Sequence, residues 1–361
     1  MIKINLFFFL PYFVKGGAGN SIYKLCKNLN KKKYNINIIC LNKCEYKKLF
    51  LKESIKVFEI KSSRTLFAIN KIKKIILNNI TKNKNIFVSN INYANLISLI
   101  FFKKIKNLKV ICIERTPIKE LDIYFDIKDY IKKNIIKFLL KIFYKRSDKI
   151  ISNSKIIKDQ IFKKFKQKSL VIYPPSFDGK IIQHKSKKNN ILTITRLERE
   201  KKIDLLINAM KLLKNHNIKL LICGTGGQEK YLKSLVNKYK INNKVTFLGY
   251  RHDAHKFYKK SFVYINTSYF EGFPNSVIES LSFSTPVISS QSHGGINEII
   301  NNKKLGIIIN NIDDSQLAKA IEFYSKKNHN GLLDKKYLFN HLNKFSIEKN
   351  IFYYDKLFSK I

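Results

Sequence analysis

The chain has 361 residues, 45% of them hydrophobic and 13% aromatic, enough apolar surface for two domains of ordinary size and too much for a disordered chain. Its 70 basic against 25 acidic residues give a formal charge of +45. Such an excess suggests nucleic acid, an anionic membrane or polyanionic substrates, but Lys, Asn and Ile abound even in loops with no evident task, so most of it reads as compositional drift.

The first apolar run, Leu6 to Val14, follows Lys3 and superficially resembles a signal peptide. Pro11 interrupts it, and it enters Gly16-Gly17 without a small-residue cleavage site, so a buried strand is the better expectation. Further short apolar runs follow at 35–41, 55–60, 85–89, 109–113, 149–152 and 169–173, with a first at 2–9. Helical spacing separates several of them, as in Asn20–Asn30, Leu66–Asn78 and Tyr130–Arg146. Continuous rather than alternating apolar character predicts parallel strands covered by helices on both faces. Pro174-Pro175 and the polar tract His184–Asn190 break the rhythm, which places a linker at 176–189 between an N-terminal domain, 1–175, and a C-terminal domain, 190–345. In the second domain strands are predicted near 190–195, 218–223, 244–248, 262–266, 286–289 and 305–309, with helices from Lys201, Gln228, Pro274, Gly294 and Ser315. A last helix within 346–361 is expected to pack back on the first domain. Two α/β domains joined by a hinge imply a ligand cleft between them.

The five cysteines, Cys26, Cys40, Cys44, Cys112 and Cys223, form no CxxC pair and read as buried small hydrophobes of a reducing compartment. No segment approaches the ~18 apolar residues of a membrane span, so a cytoplasmic protein, soluble or peripheral on the membrane, is expected.

Between Ser261 and Ile300 there is no Lys or Arg, in a chain where about one residue in five is basic. That stretch holds Glu271-Gly272-Phe273-Pro274-Asn275-Ser276 and then Glu279. Pro274 suits the first turn of a helix, whose N-terminus offers unpaired backbone donors beside Gly272 and Asn275. Two carboxylates eight positions apart around that helix start suit gripping a polyhydroxylated ligand at two places, against the plainer reading of a capped surface helix. Arg196 leaves the predicted strand 190–195 and Lys201 opens the following helix, so the two can set cations around one diphosphate; alone they would read as a solvated charge cluster. Gly16-Gly17-Ala18-Gly19 is a turn where backbone can approach a phosphate or sugar, but it lacks dinucleotide spacing. Gly224-Thr225-Gly226-Gly227 is a second such turn, nearly as well read as a plain strand-to-helix connection.

On these motifs the chain resembles glycosyltransferase family 4, retaining sugar transferases of the GT-B fold, in which two Rossmann-like domains with parallel sheets face each other across a cleft. The resemblance is most specific over 190–300. Glu271 and Glu279 match the paired glutamates, Arg196 and Lys201 the diphosphate-binding pair, Gly16-Gly17 the N-terminal glycine loop, and Gly294-Gly295 with Glu298 the closing motif. The resemblance implies that Arg196 and Lys201 neutralise the diphosphate leaving group, that Glu279 holds the nucleotide ribose, and that Glu271 with the backbone at Gly272, Phe273 and Asn275 holds the donor sugar; Pro274 and Ser276 complete that segment. It further implies a UDP- or GDP-sugar donor, no metal or other cofactor, and retention by front-face attack.

The chain departs from the family where many members carry a His. Here it reads Ile113-Glu114-Arg115-Thr116-Pro117, and Arg115 cannot act as a general base. Arg115 and Glu114 are instead expected to contact the acceptor, whether through phosphate or hydroxyls. Lys202 also replaces a frequent glycine.

The acceptor is expected on the N-terminal domain, as a glycan or lipid-linked saccharide of bacterial-type surface polysaccharide assembly. Residues 1–180 carry 40 basic and 11 acidic side chains, against 30 and 14 in 181–361, so that domain is the one expected to face an anionic membrane. Phe101–Lys106 and Tyr130–Arg146 interleave apolar and basic residues suitably, although a domain helix with solvated lysines has the same pattern. A GT-B epimerase or phosphorylase fits the paired glutamates poorly. A specific nucleic-acid binder lacks any recognisable motif, and an NAD-linked dehydrogenase lacks the fingerprint.

Overall fold

A computed structural model describes residues 3–124, 126–184, 189–326 and 334–361. They divide into two compact units: 1–175 with 347–361, and 176–346.

The first unit is built on β1 Ile4–Phe9, β2 Tyr34–Leu41, β3 Lys56–Ile60, β4 Asn85–Asn90, β5 Leu108–Glu114, β6 Lys149–Ser152 and β7 Leu170–Val171. They form one parallel sheet in the order β3-β2-β1-β4-β5-β6-β7. Its helices are α1 Gly17–Asn28, α2 Lys47–Lys52, α3 Ile69–Asn79, α4 Asn92–Phe101, α5 Ile127–Phe143 and α6 Lys155–Phe165. Side chains alternate across a strand, so β1 sends Leu6 and Phe8 to one face and Phe7 and Phe9 to the other, each into its own apolar layer. This explains the unbroken apolar run at the start of the sequence. Not every buried asparagine is drift: Asn37 and Asn85 both hydrogen-bond the Asn5 side chain, at 2.8 and 3.2 Å, and lace three strands together at their N-terminal ends.

The second unit repeats the plan with β8 Asn190–Ile194, β9 Lys219–Cys223, β10 Val245–Gly249, β11 Ser261–Asn266, β12 Val287–Ser290 and β13 Gly306–Ile309, in the parallel order β10-β9-β8-β11-β12-β13. Its helices are α7 Ile203–Leu212, α8 Glu229–Lys238, α9 His255–Tyr258, α10 Asn275–Ser282, α11 Ile296–Ile299, α12 Asp314–Lys326 and α13 Lys335–Leu342. The final helix, α14 Ile347–Lys360, belongs to the first unit. Tyr354, Leu357 and Phe358 join the layer of Leu6 and Phe8, with the Phe8 and Phe358 rings edge-to-face at 6.2 Å, and Asp355 pairs with Lys33 at 2.7 Å.

Residues 185–188 of the expected linker lie outside the described residues. Residues 176–184 are not a free linker: Ser176 Oγ donates to Asn275 Oδ1 at 2.8 Å, and the Ile182 amide donates to the Ser282 carbonyl at 2.8 Å, which tie this stretch to α10. All five cysteines are free and buried.

Candidate active site

In the second sheet the chain builds outward from β8 to β10 and then returns to lay β11 on the other side of β8. Connections from these two strands leave in opposite directions, which opens a crevice at their C-terminal ends, the usual ligand position in such sheets. Arg196 and Lys201 follow β8, and Glu271 follows β11.

Two glycines of the 224–227 turn shape the first of these connections. A Cβ on Gly224 would lie 1.7 Å from the Thr195 carbonyl oxygen, and one on Gly226 would lie 2.4 Å from that of Leu197. The Leu197 amide donates to the Thr225 carbonyl at 2.9 Å. Gly224 and Gly226 therefore let one loop lie against the backbone on either side of Arg196. A 3-10 turn, Arg199–Lys201, leads to Lys202 at φ 51°, ψ 42°, a left-handed conformation that disfavours side chains and accounts for the glycine expected there.

Lys201 and Glu271, seventy positions apart, meet at 2.5 Å between Nζ and Oε1, with their side chains only 10% and 22% exposed. Neighbouring bonds fix both segments. Thr267 Oγ1 donates to the Lys201 carbonyl at 2.7 Å, the Tyr269 amide to the Glu200 carbonyl at 2.8 Å, and Ser268 Oγ to Glu271 Oε1 at 3.1 Å. Behind Glu271, its amide donates to the Ser292 carbonyl (3.1 Å) and the Gly295 amide to the Gly272 carbonyl (2.8 Å). Arg196 is more open, half exposed, with Nη2 3.3 Å from Glu200 Oε1.

Pro274 caps α10 rather than entering it, and Phe273 packs on Phe345 with ring centroids 5.1 Å apart. The Tyr264 hydroxyl donates to Ser276 Oγ at 2.7 Å, and the Tyr258 hydroxyl to the Ser276 carbonyl at 3.0 Å and to Glu279 Oε2 at 3.4 Å. Burial holds the Tyr258 phenol well above its ordinary pKa, so it stays a neutral donor beside Glu279. The sequence reading missed Tyr258, Tyr264, Thr267 and Ser268. No local pattern marks the tyrosines; the polar run Asn266-Thr267-Ser268 closing an apolar strand was a usable signal.

The remaining expected site residues belong to the first unit. Gly16 caps α1, Gly17 is its first residue, and the glycine demanded by packing is Gly19, whose Cβ would lie 2.6 Å from the Val14 carbonyl oxygen. Glu114 requires a correction as an acceptor contact. It is completely buried, accepts from Asn95 Nδ2 at 2.7 Å and from the Tyr144 hydroxyl, and faces α4 and the 3-10 turn that follows α5. Burial pushes its carboxyl up to about 7, against the opposing hydrogen bonds from Tyr144 and Asn95. Arg115, the next residue, leaves by the other face, where its Nε donates to Asn90 Oδ1 at 2.8 Å. Phe101–Lys106 is not an apolar surface either, since Phe102 is fully buried and Lys103 pairs with Asp148 at 2.5 Å. Among the described residues no three His, Cys, Asp or Glu side chains are grouped as metal ligands, and no helix is long and apolar enough to cross a membrane.

Residues 177–337 match the family model described as glycosyl transferases group 1. An uncharacterized glycosyltransferase of Methanocaldococcus jannaschii is 33% identical over 219 residues, covering 55% of this chain and 52% of that protein. The Campylobacter jejuni N-acetylgalactosamine-N,N'-diacetylbacillosaminyl-diphospho-undecaprenol 4-alpha-N-acetylgalactosaminyltransferase is 28% identical over 206 residues, 54% of this chain and 56% of its own. The chain thus spans about half the length of the curated relatives it matches. The crystal structure of Anabaena HepE with UDP-glucose superposes with a TM-score of 0.80 over 99% of this chain and 100% of that one, at 15% identity, so the fold is that of GT-B glycosyltransferases.

Proposed function

We propose that the protein, whose residues 177–337 match the group 1 glycosyltransferase model, is a retaining, metal-independent transferase moving a sugar from a UDP- or GDP-sugar to a lipid-linked saccharide. The observation that carries the reading is the Lys201–Glu271 contact, which joins a diphosphate-type cation to a sugar-type carboxylate at the switch point of one sheet. In this reading Arg196 offers a planar fork and Lys201 a point charge to the diphosphate, neutralising it as the bond to the sugar breaks. Glu279 holds the ribose hydroxyls. Glu271 and the backbone of Gly272, Phe273 and Asn275 hold the sugar, with Pro274 and Ser276 shaping the helix start. The acceptor hydroxyl attacks the face the diphosphate leaves, and its proton passes to the departing phosphate oxygen, so the anomeric configuration is kept without a hydrolase-like carboxylate pair.

A lipid-linked acceptor requires a protein that visits the membrane, and α5 supports this. Ile127, Ile131, Ile135, Phe138 and Ile142 form one stripe along it, exposed by 76, 54, 53, 63 and 37%. The opposite face buries Ile136 and Leu140. Lys128, Lys132, Lys141 and Lys145 stand exposed around the stripe, so this helix suits an anionic leaflet, on which the protein would be peripheral and cytoplasmic.

The test is thermal unfolding with UDP, GDP, ADP and CMP, with and without magnesium. One nucleoside diphosphate is expected to stabilise the protein regardless of metal, by roughly 2.7 kcal/mol at 100 times its dissociation constant. Stabilisation by none would remove the donor site as described.

A further inference from the structure

Arg115 follows the end of β5 and is only 8% exposed, yet among the described residues no carboxylate pairs with it. Of the five N–H donors of a guanidinium, only Nε finds an acceptor among the described residues, the Asn90 side chain. The titratable groups that act on its charge are the Tyr354 phenol on α14 and the Cys26 thiol on α1, and burial keeps both neutral. A buried cation without a counter-ion is costly, and proteins keep one where a ligand supplies the missing charge.

The support of that cation is itself constrained. Asn90 Nδ2 donates to the carbonyls of Phe9 (3.1 Å) and Val88 (3.3 Å), which turns Oδ1 toward Arg115 and ties it to the end of β1. The next residue, Ile91, sits at φ 71°, ψ 148°, a region almost confined to glycine and especially unfavourable for a β-branched side chain. β1 and β4 are the strands between which the order of the first sheet reverses, so the unpaired guanidinium stands beside that sheet's own switch point.

We propose that Arg115 is the receptor for an oxyanion carried by the acceptor, a phosphate or carboxylate group, with Asn90 as its positioning residue. The assignment to the acceptor rests on the transferase reading; the oxyanion site does not. A forked guanidinium takes either group through two parallel hydrogen bonds, and the geometry of Nε on Asn90 leaves the Nη atoms for that purpose.

The test titrates inorganic phosphate and acetate, at constant ionic strength against chloride, into the wild type, Arg115→Met, Arg115→Lys and Arg196→Ala, read by calorimetry and unfolding midpoint. One of the two anions is expected to bind the wild type saturably, and which one identifies the group as phosphoryl or carboxylate. Arg196→Ala keeps this binding, Arg115→Lys weakens it about tenfold by losing the fork, and Arg115→Met abolishes it. Without anion, Arg115→Met unfolds at or above the wild-type midpoint because it removes an unpaired charge. No saturable binding of either anion, or binding lost in Arg196→Ala and kept in Arg115→Met, would overturn the proposal; so would a large destabilisation of Arg115→Met with anion binding intact in Arg115→Lys at wild-type strength. Should phosphate bind through Arg115 while no nucleoside diphosphate binds at all, the transferase reading falls and the oxyanion site stands.

Discussion

Gly294→Ala strikes the part of the site that holds Glu271 in position. An added Cβ would lie 1.8 Å from the Glu271 carbonyl oxygen and 2.8 Å from that of Gly272, both backbone atoms that no rotamer change can move aside. Restoring an ordinary carbon–oxygen contact of about 3.4 Å shifts the Glu271 carbonyl by roughly 1.5 Å. The bonds from the Glu271 amide to Ser292 and from the Gly295 amide to Gly272 are then lost or stretched, at about 1 kcal/mol each. Overpacking adds about 1–3 kcal/mol. The expected destabilisation in urea unfolding is therefore about 3–5 kcal/mol, accompanied by a loss of nucleotide-sugar affinity of about tenfold or more as the carboxylate leaves its place. Gly227→Ala is the control, since its Cβ would meet only the Glu198 side chain at an ordinary 3.6 Å. Should Gly294→Ala match that control in both stability and donor affinity, the crossing of these two loops does not position Glu271.

Lys201→Met and Glu271→Gln, with their double variant, should show a coupling of about 1–3 kcal/mol in urea unfolding, as expected for a poorly exposed pair; additive effects would mean the contact is incidental. Glu114 supplies a pH signature. Its carboxyl is raised from 4.5 to about 7 in the folded protein, so the folded state binds the extra proton and stability falls as pH rises from about 4.5 to 7, by on the order of 3 kcal/mol. Glu114→Gln should flatten that fall, and a slope unchanged in the variant would assign it to other groups. On α5, Ile131→Asp with Phe138→Asp should leave folding within about 1 kcal/mol, since both side chains are exposed. The same pair should reduce flotation with anionic vesicles at least about tenfold; undiminished flotation would remove this helix from the membrane reading.

Most strands were legible as short, largely apolar runs such as Leu6–Phe9 in β1, although Asn35 and Asn37 in β2 and Lys56 and Glu59 in β3 interrupt the pattern. Helix signals were weaker. α4 carries Asn92, Asn95 and Ser98 among apolar residues and blends into the run that ends at Phe102, so it did not separate from a surface segment. α6 was legible and overlooked: Ile157, Ile161 and Phe165 repeat at helical spacing, and Ser154 Oγ accepts from the Ile157 amide at 3.3 Å. In the site, Lys201 and Glu271 stood out by residue type and by the absence of Lys and Arg around the latter. Their contact is tertiary and could only be seen in three dimensions. Glu114 misled because adjacent residues in sequence suggest a shared ligand, whereas successive residues of a strand point to opposite faces. Gly224 and Gly226 resembled a phosphate-binding turn, but the space beside them is filled by residues 195–197.

The most direct test of the donor site is equilibrium titration of the preferred nucleoside diphosphate into the wild type, Arg196→Ala and Glu279→Ala. Saturable binding by the wild type, weakened at least about tenfold in each variant, is the expected result. Equal affinity in all three proteins would contradict it, leaving Arg196 a solvated charge and Glu279 a helix surface residue.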